Sequence, residues 1–202
     1  HTRSFHVTGV QTCALPIFTI TGSGTLALNG GTNPVGRSAA SIYHNGSGAQ
    51  SIAFSSGGAL NMVAGTGNSV TISSFGSQTI SGNPDISLVA GTAATGFSIG
   101  SIADISMDAI PGSVQSIAAH NLTLQGGSVG ARNSAVIATW GTGGTQTITA
   151  TGTVSLLDGA SPIGSCTLVT GACSVDISWD TRPWTSKLLP AVVIAAMIYS
   201  RG

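Results

Sequence analysis

The sequence predicts an all-β protein, a right-handed parallel β-helix (β-solenoid) of about five three-stranded coils. Three observations predict it. A Gln-Ser/Thr-Ile step recurs along the chain, short apolar-polar alternations lie between small-residue turns, and 29 of 202 residues are Gly. Self-similarity at such a period is the mark of stacked units, none of which buries its apolar side alone.

Composition narrows the function classes. Lys+Arg and Asp+Glu number 6 each, net charge is zero, and charged residues are 6% of the chain, against roughly 25% in an average soluble domain. Glu is absent and Lys187 is the only lysine. A nucleic-acid binder needs a basic footprint, so no nucleic-acid partner is expected. The helical mixture of Glu, Lys, Ala and Leu at a 3.6-residue period is missing. With 42% hydrophobic residues, charge-driven disorder is disfavoured. The length suits one domain of ordinary size.

The head of the chain is set apart. Val7 to Ile17 reads VTGVQTCALPI, which back-translates into the constant arm of an indexed sequencing adapter read in frame. His1-Thr2-Arg3 fits the segment before the index, and Ser4-Phe5-His6 spans one base plus an index of ordinary length. Residues 1–17 thus resemble a translated adapter, with Phe18 at the junction, and 1–18 is expected to be adapter-derived. On that reading His1, Arg3, His6 and Cys13 carry no function. The competing reading draws Val7 to Ile20 as a genuine first strand.

The repeats occupy 19–170, in units near 19–49, 50–77, 78–114, 115–145 and 146–170. Their first step places Gln50, Gln78, Gln115 and Gln146 two residues before Ile52, Ile80, Ile117 and Ile148, at spacings of 28, 37 and 31. Phe18-Thr19-Ile20 stands in the same place without Gln. A second apolar step follows, as Leu26-Ala27-Leu28, Leu60-Asn61-Met62, Ile86-Ser87-Leu88, Leu122-Thr123-Leu124 and Val154-Ser155-Leu156. Small-residue turns such as Gly30-Gly31 and Gly126-Gly127 come next. A third step appears at Ser41-Ile42, Thr71-Ile72, Ser98-Ile99 and Val136-Ile137, and Asn68 to Ile72 parallels Asn133 to Ile137. Alternation sends Ile, Leu and Val inward, and Thr, Ser, Gln and Asn outward. The longest insertion is expected in a turn around Ala103 to Pro111. Five units at about 4.8 Å per layer make a rod of roughly 24 Å.

The aligned Gln residues admit two readings. One is an exposed polar binding stripe. The other, favoured by their fixed place before each Ile, is an amide ladder in which each Gln bonds its copy on the next coil. The strand Thr residues need only the fit of β-branched side chains to a pleated surface.

Catalytic and metal motifs are weak. Gly96 to Gly100 and Gly126 to Gly130 match G-x-S-x-G, but no helix follows, as a nucleophile elbow requires. His44 and His120 have no ligand partner at metal spacing and read as exposed turn or strand residues. Asp85, Asp104 and Asp108 could gather on one coil edge, and paired carboxylates are what glycoside hydrolysis or calcium-assisted lyase chemistry needs. Against that, Asp85 follows Pro84 at a turn, where Asp favours local bonding. The nearest basic residues, Arg37 and Arg132, are not adjacent in sequence. The expectation is no catalysis, no metal and no cofactor. Cys166 and Cys173 form a possible disulfide of a secreted protein, or two free thiols.

The tail, 171–202, lacks the repeat. It carries Trp179, Trp184, Pro183 and Pro190, and an apolar run from Ala191 to Tyr199 that is too short to span a bilayer. It reads as a cap for the last coil, a short peripheral helix, or the product of a frame error.

Two stretches, QTITATGTVSLLDG (Gln146 to Gly159) and QSIAAHNLTLQGGSVGARNSAVIA (Gln115 to Ala138), carry a family likeness. They resemble the repeats of filamentous-haemagglutinin-like exoproteins over about Thr19 to Val169. The resemblance implies a β-helical shaft of a Gram-negative two-partner-secretion protein, displayed on the outer-membrane surface or secreted. It implies adhesion to a host-cell, bacterial-surface or matrix receptor, glycan or protein, without an active site. The secretion domain of that family is not recognisable here, so an internal shaft fragment is expected. Exposed strand edges at its ends favour end-to-end or edge self-association. The second functional class is a carbohydrate-active β-helix enzyme, a polysaccharide lyase or hydrolase. An ice-binding Thr array ranks last, because Thr147-Ile148-Thr149 is not repeated in register at Ser51 or Ser116.

Overall fold

The computed structural model describes residues 6–10, 17–32, 39–55, 57–92, 101–127, 133–141, 143–158, 160–167 and 192–194. They form an all-β parallel solenoid of about four turns, each contributing one strand to each of three sheets. The first sheet stacks β2 (Ile17–Gly22), β5 (Gln50–Phe54), β8 (Gln78–Ser81), β11 (Val114–Ala119) and β14 (Thr145–Ala150). The second stacks β3 (Thr25–Asn29), β6 (Ala59–Val63), β9 (Asp85–Val89), β12 (Leu122–Gly126) and β15 (Thr153–Asp158). The third stacks β4 (Ala40–His44), β7 (Val70–Ser74), β10 (Ala103–Ala109), β13 (Ala135–Gly141) and β17 (Val192–Ile194).

Two strands run against this pattern. β1 (His6–Val10) pairs antiparallel with β2, and β16 (Ser161–Thr167) pairs antiparallel with β15. The fifth repeat unit therefore supplies β14 and β15 and then doubles back, which is why complete turns number about four.

Register follows the repeat. Ile20, Ile52, Ile80, Ile117 and Ile148 are Cα partners in sequence, and Phe18 faces Gln50 where the first Gln is missing. In the second sheet Leu60, Ile86 and Leu122 align, as do Met62, Leu88 and Leu124. Their side chains, with Ile72, Ile105 and Ile137 of the third sheet, are completely buried or nearly so. Apolar area removed from water at about 25 cal/mol per Å² is the main stabilising term, and it accrues only through stacking.

Two expectations are corrected. Ala103 to Pro111 is not a turn insertion, because Ala103–Ala109 is β10, paired with both β7 and β13. Its inward residues Ala103, Ile105 and Met107 are fully buried, while Asp104, Ser106 and Asp108 take the alternate outward positions, with Ser106 itself buried there. The two Asp residues mask an ordinary period-two strand. The third step of that unit is thus Asp104-Ile105 and not Ser98-Ile99, which lies outside the described residues. Gln is also not an outward residue. It precedes Ile by two positions, so it shares the inward face, and Gln50, Gln78 and Gln115 are completely buried.

The coils approach closely at the turns after the second sheet. A Cβ on Gly91 would fall inside van der Waals contact of the Gly65 carbonyl oxygen of the coil below. Only glycine fits such a backbone contact.

Candidate functional site

Three side-chain groups stand out along the solenoid. The first is the Gln column, which lies inside. Gln78 Nε2 donates to Gln50 Oε1 at 2.8 Å, Gln115 Nε2 donates to Gln78 Oε1 at 2.7 Å, and Gln146 Nε2 donates to Gln115 Oε1. Each strand brings its Gln beside the backbone of a third-sheet strand. Gln50 Nε2 therefore also donates to Ser73 O at 3.0 Å, and Gln78 Nε2 to Ser106 O at 3.1 Å. Thr139 Oγ1 donates to Gln115 Oε1 at 3.1 Å. The column ties the first sheet to the third and presents no binding stripe to solvent.

The second group sits where the first sheet turns into the second. Asp85 opens β9, and its Oδ1 accepts from the Asn121 N–H at 3.1 Å and from Asn121 Nδ2 at 2.8 Å. The same oxygen lies 3.0 Å from His120 Nδ1, with both side chains more than half exposed. Asn121 Oδ1 then accepts from the Thr153 N–H at 2.9 Å. Burial by itself would raise the Asp85 carboxyl, but the His120 and Asn121 hydrogen bonds outweigh it and hold the group below its ordinary value. These bonds join successive coils, so Asp85 does not bond locally within its own turn. His120 has a carboxylate partner that its sequence neighbourhood did not reveal. A parallel set of Asn68, Ser101 and Asn133 is buried at the next corner. There Asn68 Nδ2 donates to Gly31 O at 2.7 Å, and Asn133 Oδ1 accepts from the Ser101 N–H at 2.9 Å.

The third group is the outer face of the third sheet. Asp104 and Asp108 both lie on it, four residues apart on β10, whereas Asp85 begins a strand of the second sheet. The three therefore do not form one acidic cluster. Ser106 Oγ donates to Asp104 Oδ2 at 2.7 Å. Asp104 Oδ1 is out of solvent and has no hydrogen-bond partner. Desolvation, with a smaller push from Asp108 and against the Ser106 bond, raises the Asp104 carboxyl to about 6. Small buried residues, Ser73, Ser106 and Ala138, run in register across the strands. Exposed rings stand around them: Tyr43 (53%), Phe75 (38%) and Trp140 (56%). Asp108 and Trp140 are Cα partners, and the Tyr43 and Phe75 rings meet edge to face at 6.3 Å.

His44 corrects another expectation, being 7% exposed. It takes the last inward place of β4, stacks on Phe18 at 6.4 Å and lies 3.4 Å from Ser74 Oγ through Nδ1. An open groove of about 540 Å³ follows the glycine column, lined by Gly65, Gly91 and Gly127 with Thr66 and Thr92. Thr66 and Thr92 of its lining bond each other at 3.1 Å.

Several expected sites fall outside the described residues. These are Arg37, Arg132, Cys173, residues 96–100 and 128–130 of the two G-x-S-x-G matches, and all of 171–202 except 192–194. Cys166 belongs to β16, but its side chain is not described. Among the described residues no group of three or more His, Cys, Asp or Glu is placed to hold a metal ion. No helix among them is long and apolar enough to cross a membrane.

No family model matches the chain, and neither a curated protein nor a solved structure gives a significant match.

Proposed function

We propose that the chain is an internal shaft segment of a secreted or surface-displayed bacterial adhesin of the filamentous-haemagglutinin-like kind, acting through binding and not catalysis. The observation that supports this most is the continuous register of Gln, Ile and Leu columns from coil to coil. A stiff polar-coated rod is what a presenting shaft requires, and its repeated lateral surface suits many weak contacts, whose avidity exceeds each single affinity. In this reading the receptor is a glycan or protein on a host cell, another bacterium or the matrix.

A second reading, a carbohydrate-active enzyme, is favoured by one observation. Asp104 is raised to about 6 and shares its face with Asp108. A carboxyl that holds its proton to higher pH than a second carboxylate on the same face is the pattern of glycoside hydrolysis.

One experiment separates the two. Beads coated with the full chain are counted on cultured epithelial cells and on bacterial lawns against albumin-coated beads, and the chain is incubated with polysaccharides while reducing ends are measured. The adhesin reading expects adhesion severalfold above albumin and no reducing ends. It is overturned by adhesion equal to albumin, or by reducing ends that disappear in Asp104→Asn and Asp108→Asn.

A further inference from the structure

The outer face of the third sheet is the place where large exposed apolar groups gather on a regular strand surface. Phe75 lies one residue beyond the end of β7, whose pairing with β10 closes at Ser74 and Met107, and its ring meets that of Tyr43 on β4. Asp108 faces Trp140 on β13. On the adjacent strands β10 and β13 a carboxylate thus stands beside a ring, about 5 Å apart. Tyr43 on β4 lies two strands beyond Asp108 on the other side, so the surface from Trp140 to Tyr43 runs over about 14 Å. Between the rings the floor is small and polar, through Ser73 and Ser106.

Exposed aromatic rings on a soluble surface have a large apolar contact area and little rotamer entropy to lose. Contiguous apolar patches of this sort mark interaction sites. The charges around them select the ligand. Among the described residues there is no Lys or Arg, so a phosphate, sulfate or carboxylate would find two Asp residues and, among those described residues, no counter-charge on this face. A ligand with apolar C–H faces and a rim of hydroxyl donors matches both the rings and the carboxylate between them.

We propose that this face binds an uncharged glycan, with sugar rings resting on Trp140 and on the Tyr43–Phe75 pair and hydroxyl groups donating to Asp108. The proposal rests on the adhesin reading and names the chemistry of its receptor. The glycan lies across the strands, along the stacking direction of the coils. Trp140 supplies most of the apolar contact, and Asp108 fixes orientation, the usual division of labour in a ligand site. Asp104, desolvated and bonded to Ser106, holds the floor.

The test titrates the full chain with cellohexaose and maltohexaose, and with heparin and hexalysine as charged competitors, by calorimetry. Trp140→Ala, Asp108→Asn and Tyr43→Ala are measured beside it, each with a thermal melt. The expected result is binding of at least one neutral hexasaccharide, weakened about tenfold or more by Trp140→Ala and by Asp108→Asn with the melting temperature unchanged. Absence of binding to both neutral sugars overturns the proposal. So does unchanged affinity in Trp140→Ala, or preferential binding of heparin or hexalysine. Adhesion of coated beads without sugar binding sinks the glycan face alone; sugar binding without bead adhesion sinks the adhesin reading alone.

Discussion

Replacing Gln78 by Met keeps length and volume but removes an amide from the middle of a buried column. Gln78 Nε2 serves Gln50 Oε1 at 2.8 Å and Ser106 O at 3.1 Å, and its Oε1 receives Gln115 Nε2 at 2.7 Å. The substitution therefore strands Gln50 Oε1 and one Gln115 N–H in a fully buried place. A buried polar group left without a partner costs about 1–3 kcal/mol, so the two together cost about 2–6 kcal/mol. Replacing Gln50, Gln78, Gln115 and Gln146 by Met together removes donors and acceptors at once. The quadruple variant is expected to cost less than half the sum of the four single changes, since interacting sites are not additive. Urea unfolding followed by circular dichroism measures both quantities. A Gln78→Met cost below about 1 kcal/mol, or four costs that simply add, would refute the reasoning that these amides form one buried chain.

Three further outcomes follow from the same geometry. Gly91→Ala forces a methyl against the Gly65 carbonyl and is expected to destabilise by about 1–3 kcal/mol, the usual range for overpacking, as a lowered melting temperature. Asp104 has a folded pKa raised from 3.8 to about 6, so its contribution is fully favourable below 3.8 and is lost as pH rises through 6. Asp104→Asn should therefore stabilise the fold at neutral pH by up to about 3 kcal/mol and leave it unchanged at acid pH, read from urea midpoints across that window. Asp85 has the opposite sign, because its pKa is lowered by His120 and Asn121 against burial. Its stabilisation is present above the unfolded value and fades as pH falls through the folded one, so Asp85→Asn should flatten the acid limb of the stability profile.

The parts of the fold that a sequence can carry are those with local period. Gln-x-Ile and Leu-x-Leu steps place columns of like residues, and stacking follows because no coil buries them alone. β10 was hidden because Asp104 and Asp108 interrupt an apolar look, although they occupy only its outward positions. The chemistry of Gln suggests solvent, whereas its parity with Ile places it inside, where its copies satisfy it. His44 follows the same rule, since its parity with Ile42 on β4 turns it inward although its chemistry suggests solvent. The Asp85, His120 and Asn121 set was not legible at all. Its members lie 35 and 36 residues apart, a distance set by the length of one coil and not by any motif. The aromatic face of the third sheet was equally invisible, because Tyr43, Phe75 and Trp140 come from three different turns.

The central claim is a parallel solenoid with a Gln ladder inside it. Hydrogen exchange of the Gln side-chain amides, followed by NMR on labelled protein, tests it most directly. The account predicts that the side-chain N–H groups of Gln78 and Gln115 exchange as slowly as the backbone amides of Ile80 and Ile117, with Gln146 faster at the half-buried end of the column. Exchange of Gln78 and Gln115 at the rate of free glutamine would contradict it.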